Sequence, residues 1–177
     1  MADLTDVIKE EAMVNKPGYG TKLLYALISD FESITPPDPD AATLELAGAI
    51  ATDHTFKVGK GWKVIESTDE FTEGTAENVG DRDSRGDSTS LEGRIPGLTA
   101  RNLGFKNKMH GKNALVLVDN RDGTYKQYGT EEDPSEFQVV PGSGNKGGGY
   151  KGLMVTISTF APLYEYQGTI ELESEIV

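Results

Sequence analysis

The stretch EYQGTIELESEI, residues 165–176, alternates with a period of two. Glu165, Gln167, Thr169, Glu171, Glu173 and Glu175 fall on one parity, and Tyr166, Ile170, Leu172 and Ile176 on the other. Successive side chains of a strand point to opposite faces, so the pattern predicts a β-strand with one apolar and one acidic face. Burying the apolar parity sends Glu171, Glu173 and Glu175 to solvent. Upstream, LMVTISTF (residues 153–160) is a second strand, cut off at Ala161-Pro162. Before it, Pro141–Gly152 holds six glycines and reads as a flexible loop.

The rest of the chain extends this β reading. Ala114–Asp119 (ALVLVD) is a strand, Asn120–Gly123 a turn and Thr124–Tyr128 the returning partner. Leu98–His110 predicts the one internal helix, with Thr99 as cap and Gly111 just past its end, although Gly104 weakens it. Ser88–Ile95 is a strand stopped by Pro96-Gly97. Thr68–Asp87 is polar and acidic with few large apolar residues, which predicts a long exposed loop or an extended hairpin tip. Thr21–Ile28, Leu44–Thr52, His54–Val58 and Trp62–Ser67 predict further strands, with a tight turn at Gly59-Lys-Gly61. Ile34–Asp40, with three prolines, is a loop, and residues 3–13 (DLTDVIKEEAM) predict a short helix. The expected fold is mainly β: an antiparallel sandwich or open barrel over residues 1–177, with a flanking α-helix and a short N-terminal one.

A chain of 177 residues is one domain on length, able to bury roughly 70% of its unfolded surface. It has no cysteine, so disulfides, thiolate metal sites and thiol nucleophiles are all excluded. No apolar run approaches the roughly 20 residues that span a bilayer, and Asp3 and Asp6 stand where a signal peptide carries positive charge. A soluble protein, unprocessed at its N-terminus, is expected.

The formal charge of −12 argues against binding nucleic acid over the whole surface. It is unevenly spread. Glu66 to Asp87 holds eight acids (Glu66, Asp69, Glu70, Glu73, Glu77, Asp81, Asp83, Asp87) against Arg82 and Arg85, a net of −6. Arg101, Lys106, Lys108 and Lys112 form an acid-free basic segment. Both could be ordinary solvated faces; the sharper reading is that the acidic segment of one subunit meets the basic segment of the next.

Nothing in the chain reads as catalysis. Gly142-Ser-Gly144-Asn-Lys-Gly147 matches G-x-G-x-x-G, but the glycines that follow oppose the helix whose N-terminus would hold a pyrophosphate. Asp81–Asp87 with Glu92 has several ligands of a calcium loop, but Arg85 occupies a ligand place and the flanks are not helices. Arg85-Gly86-Asp87 is an integrin-type tripeptide of a kind common by chance in polar loops. His54 and His110 lack any sign of an orienting partner and a nucleophile, Trp62 is most simply core, and the carboxylates nominate no glycosidase pair. No cofactor and no metal is expected.

The succession of strand (Ser88–Ile95), Pro-Gly, helix (Leu98–His110) and strand (Ala114–Asp119), after an acidic loop and before the closing strands Leu153–Phe160 and Tyr166–Glu175, resembles the major tail tube proteins of tailed bacteriophages. Related tube folds occur in contractile injection systems. The resemblance implies a β-sandwich with a flanking helix. Six subunits would form a ring whose sheets join into a central barrel, and a long loop would stack the rings. It also implies a virion location, other virion proteins as partners, DNA as cargo that does not stick, no membrane, and Glu171, Glu173 and Glu175 as candidates for a lumen face. An acidic lumen repels phosphate, and a closed ring covers open sheet edges. Capsid decoration, neck or tail-terminator proteins, and a monomeric ligand-binding β-sandwich, are the alternatives.

Overall fold

The computed structural model describes Val7, residues 17–68 and residues 72–173. The helix expected over residues 3–13 lies outside the described residues, Val7 apart, as do Asp69, Glu70 and Glu175. The chain runs β1 (Lys22–Leu27), a 3-10 turn (Ile28–Asp30), β2 (Phe31–Ser33), α1 (Leu44–Ala47), β3 (Ala49–Ile50), β4 (Thr55–Phe56) and β5 (Lys63–Glu66). It continues through β6 (Glu73–Val79), β7 (Gly86–Pro96), α2 (Ala100–Met109), β8 (Asn113–Asp119), β9 (Tyr125–Tyr128), β10 (Ser135–Asn145), β11 (Gly148–Thr159) and β12 (Tyr164–Tyr166).

Strand β8 joins two half-sheets. One of its edges pairs antiparallel with β1; the other is shared between β9 and, at Asn113 and Ala114 only, β10. One branch is therefore β5-β1-β8-β9-β12-β3, and the other leaves β8 as β10-β11-β7-β6. The branches pack face to face: Leu23, Ile65, Val116, Val118 and Tyr128 of the first meet Leu91, Leu153, Val155 and Ile157 of the second. Alternation along β8 sends Leu115 and Leu117 to the opposite face, where with Leu24 and Ala26 they form a second core around Trp62, Phe31, Ile50 and Tyr166. Both faces of β1 and β8 are thus buried, which is why KLLYAL and ALVLV are apolar without alternation.

Helix α2 packs beside the sandwich through Phe105, whose ring lies 5.8 Å from Tyr25 and 6.4 Å from Phe137. The Thr99 hydroxyl accepts the Asn102 N–H at 3.2 Å, and Gly111 adopts φ +66, so start and stop are where the sequence places them. The mainly β architecture with a flanking helix is the expected one.

Four local expectations need correction. Among the described residues the closing strand is short: only Tyr164–Tyr166 pairs, and the chain then turns at Gly168 before a single parallel bridge between Leu172 and Trp62. The turn forms because Asp53 Oδ1 accepts the Thr169 N–H at 2.6 Å. Leu44–Thr52 is not a strand, since Thr43 caps α1 by accepting the Leu46 N–H and only Ala49–Ile50 is extended. Pro141–Gly152 is not a loop but the end of the β10–β11 hairpin, paired from Pro141–Leu153 to Asn145–Gly148. Glycines there pair through their backbones as other residues do, and Pro141 is tolerated on a strand with an open edge. Within Thr68–Asp87, finally, Glu73–Val79 is a strand: β6 pairs with β7 from Glu73–Glu92 to Val79–Gly86, so the extended hairpin is the correct alternative. Gly74 is required in it, because a Cβ there would strike the Tyr128 hydroxyl.

Candidate subunit interface

Among the described residues, the half-sheet β10-β11-β7-β6 is covered on one face only. Leu91, Leu153, Val155 and Ile157 point into the sandwich, while Glu73, Glu92, Arg94, Gln138, Val140, Met154 and Thr156 line a shallow depression of about 340 Å³ on the other face. Registers place Glu73, Glu92, Thr156 and Gln138 in one cross-strand row. Glu73 opposite Glu92 is a like-charge pair, an arrangement that is unfavourable without a neighbouring cation. Arg94 lies nearby, its guanidinium 5.1 Å from the centre of the Tyr150 ring. Thr75 and Ser90 hydroxyls bond across the same face at 2.8 Å.

Both edges of this half-sheet are open. Among the described residues β6 pairs only with β7, and β10 beyond Glu136 pairs only with β11. The acidic candidates gather at the first edge: Glu73 and Glu77 are exposed on β6, and Asp81, Arg82, Asp83 and Arg85 are exposed in the turn that follows. Basic candidates divide. Lys106 and Lys112, with His110, line a groove of about 490 Å³ against residues 136–140 of β10, where Glu136 is the one acid. Lys108 is exposed away from it, and Arg101 lines a separate groove with Glu66 and Tyr25. Among the described residues, Glu73, Glu77, Asp81 and Asp83 stand at one edge of the half-sheet, and Lys106 and Lys112 stand at the other.

The two described terminal glutamates do not both stand free in solvent as the alternation implies. Glu171 is exposed, but Glu173 bonds the Lys63 ammonium at 2.8 Å, and Lys63 also bonds Asp30 at 2.8 Å. Leu172, on the parity expected to be buried, is itself exposed, at 57%. This follows from Gly61, where a Cβ would sit 2.7 Å from the Glu173 nitrogen; its absence lets the chain approach and bond Trp62 on both sides. The acidic face missed from sequence is the one bearing Glu73, Glu77, Glu92 and Glu136. Its signal was present in SEFQVV, where Phe137 and Val139 alternate with Glu136 and Gln138.

His54 is buried beneath the second core, stacked on Tyr166 with ring centres 4.9 Å apart. Its Nδ1 accepts the Thr35 N–H at 3.1 Å, so Nε2 carries the proton and donates to Gln127 Oε1 at 2.8 Å. Burial lowers its pKa below the ordinary 6.5, against the opposing Gln127 bond and the Asp53 charge. The unfolded chain therefore takes up the proton first, and stability present above about pH 6.5 is lost as pH falls, by at most about 1.4 kcal/mol per pH unit. Urea midpoints between pH 7.5 and 5.5 should fall, and His54→Leu should flatten that slope even though it lowers stability at neutral pH. An unchanged slope would assign the effect to other groups.

This histidine network ties loops to the sheet and leaves no ring nitrogen open to a substrate. No group of three or more His, Asp or Glu side chains able to hold a metal occurs among the described residues. No helix among them is long and apolar enough to cross a membrane. Compared with protein-family models, curated proteins and solved structures, the chain matches none.

Proposed function

We propose that this protein is a structural subunit that closes into rings and stacks into a tail-tube-like conduit of a virion, through which DNA passes without sticking. The observation that carries this reading is the half-sheet open at both edges and bare on one face. Its joins β10–β11, β11–β7 and β7–β6 are all antiparallel, so β6 runs opposite to β10. Head-to-tail addition of the next copy thus continues the antiparallel pattern without a break, and such heterologous contacts generate rings or filaments. Ring closure would also remove the two edges, which are aggregation liabilities in a lone chain.

The bulk of the fold favours one face as the lining of such a ring. The second half-sheet and α2 lie on the inner side of β10-β11-β7-β6, and no described residue covers the other side. In a closed ring the bulky layer takes the larger radius, so the bare face turns to the axis. That face carries Glu73, Glu77, Glu92 and Glu136 against Arg94, which suits a passage for polyanionic DNA. The lumen role thus moves from the terminal glutamates to these four.

Light scattering on the purified chain tests the reading. A concentration-dependent shift from a 19.1 kDa monomer to particles several-fold heavier is expected. A monomer at every concentration and ionic strength would overturn it.

A further inference from the structure

We propose that β6 of one copy adds antiparallel along residues 138–144 of β10 in the next, with Val79 beside Gln138 and the acidic hairpin turn seated at the corner formed by Lys106, His110 and Lys112. This rests on the ring reading above and specifies its seam.

The register follows from what already occupies the β10 edge. Strand β8 pairs with Ser135 and Glu136, so an incoming strand can pair only beyond them. The open stretch from Gln138 to Asn145 accommodates the 7 residues of β6 at full length. Within one copy, Gln138 is level with Glu73 through Thr156 and Glu92, and β6 then runs from that row toward the end where β8 blocks the edge. A flat, unstaggered ring would drive β6 into β8. Placing Val79 beside Gln138 removes the clash by offsetting copies six residues over four strands, which inclines the strands by about 45°, close to the tilt of closed barrels. Val79 and Gln138 also keep to the same face, because an offset of six preserves the side-chain parity.

Charge selects this seam over the symmetric ones. Two β6 edges together would gather Glu73, Glu77, Asp81 and Asp83 from both copies, more acid than Arg82 and Arg85 offset. Two β10 edges would bring Lys106 and Lys112 of both copies together. In the head-to-tail join, the turn that follows Val79 arrives at the β8 end of the groove, where Lys112 stands one residue before Asn113. The hairpin brings Glu77, Asp81 and Asp83 with Arg82 and Arg85, still net acidic, and no described carboxylate is paired with Lys106 or Lys112 within one chain. Like-charge opposition at the symmetric seams and complementarity here fix the orientation of the join.

The chain has no cysteine, so an engineered pair reports the seam directly. Val79 and Gln138 lie on opposite edges of one copy, at least about 14 Å apart across three strand spacings, so Val79→Cys with Gln138→Cys can bridge only between copies. Oxidation of assembled protein should give a ladder of covalent oligomers, while Glu73→Cys with Gln138→Cys, the unstaggered register, should give none. Lys106→Glu with Lys112→Glu should abolish the ladder in a chain with an unchanged circular dichroism spectrum. Adding Glu77→Lys, Asp81→Lys and Asp83→Lys should restore it. If the parent assembles but the ladder comes from the Glu73 pair, from neither pair, or survives the lysine reversal, this seam is wrong while the ring reading stands. A parent chain that never assembles overturns both.

Discussion

Replacing Trp62 by alanine is expected to lower the unfolding free energy by about 3–5 kcal/mol, a large share of the stability of a domain this size. Trp62 is fully buried and its ring is met by Phe56 at 5.5 Å, Phe31 at 5.6 Å, and Tyr166 and His54 at 6.2 Å. These groups come from three separate segments, and the Trp62 backbone also bonds Glu171 and Glu173. Truncation leaves a cavity that no single segment can collapse to fill. Urea denaturation measures the loss; a change under 1 kcal/mol would mean that the second core does not depend on Trp62. Trp62→Phe should cost much less, because it keeps most of the apolar volume, and the indole N–H has no acceptor among the described residues.

Much of this fold is legible locally. ALVLVD, the Asn120–Gly123 turn and the Thr99 cap each decide their own geometry from a few neighbouring residues, and each forms where the sequence places it. The errors fall where a distant contact decides. Alternation in residues 165–176 predicts a long strand, but Asp53 captures the Thr169 N–H and Lys63 draws in Glu173, from segments more than a hundred residues earlier. Glycine content predicts a loop at 141–152, yet cross-strand pairing with β11 holds it extended. The charged segments were visible as composition. Their placement at the two edges of one half-sheet was not, because it depends on β8 dividing its edge between β9 and β10.

The second large effect concerns the bare face. Glu92 and Thr156 sit on the two central strands, in the row that would line the passage and away from either edge. Glu92→Lys with Thr156→Lys changes each copy by three charges, and a closed ring repeats that change around its axis. The variant should assemble as the parent does but retain DNA at low salt, with affinity falling about 10³-fold or more between 50 and 200 mM salt, as for a site neutralising several phosphates. Filter binding at the two salt concentrations checks it. Variant assemblies that take up no more DNA than the parent would remove the lumen from this face.

The central claim is that the open half-sheet closes with copies of itself. Negative-stain electron microscopy of the purified chain, concentrated at low ionic strength, tests it most directly. Rings or stacked tubes with an open centre are the predicted result; a field of monomers, or of two-fold dimers without a central opening, would contradict it.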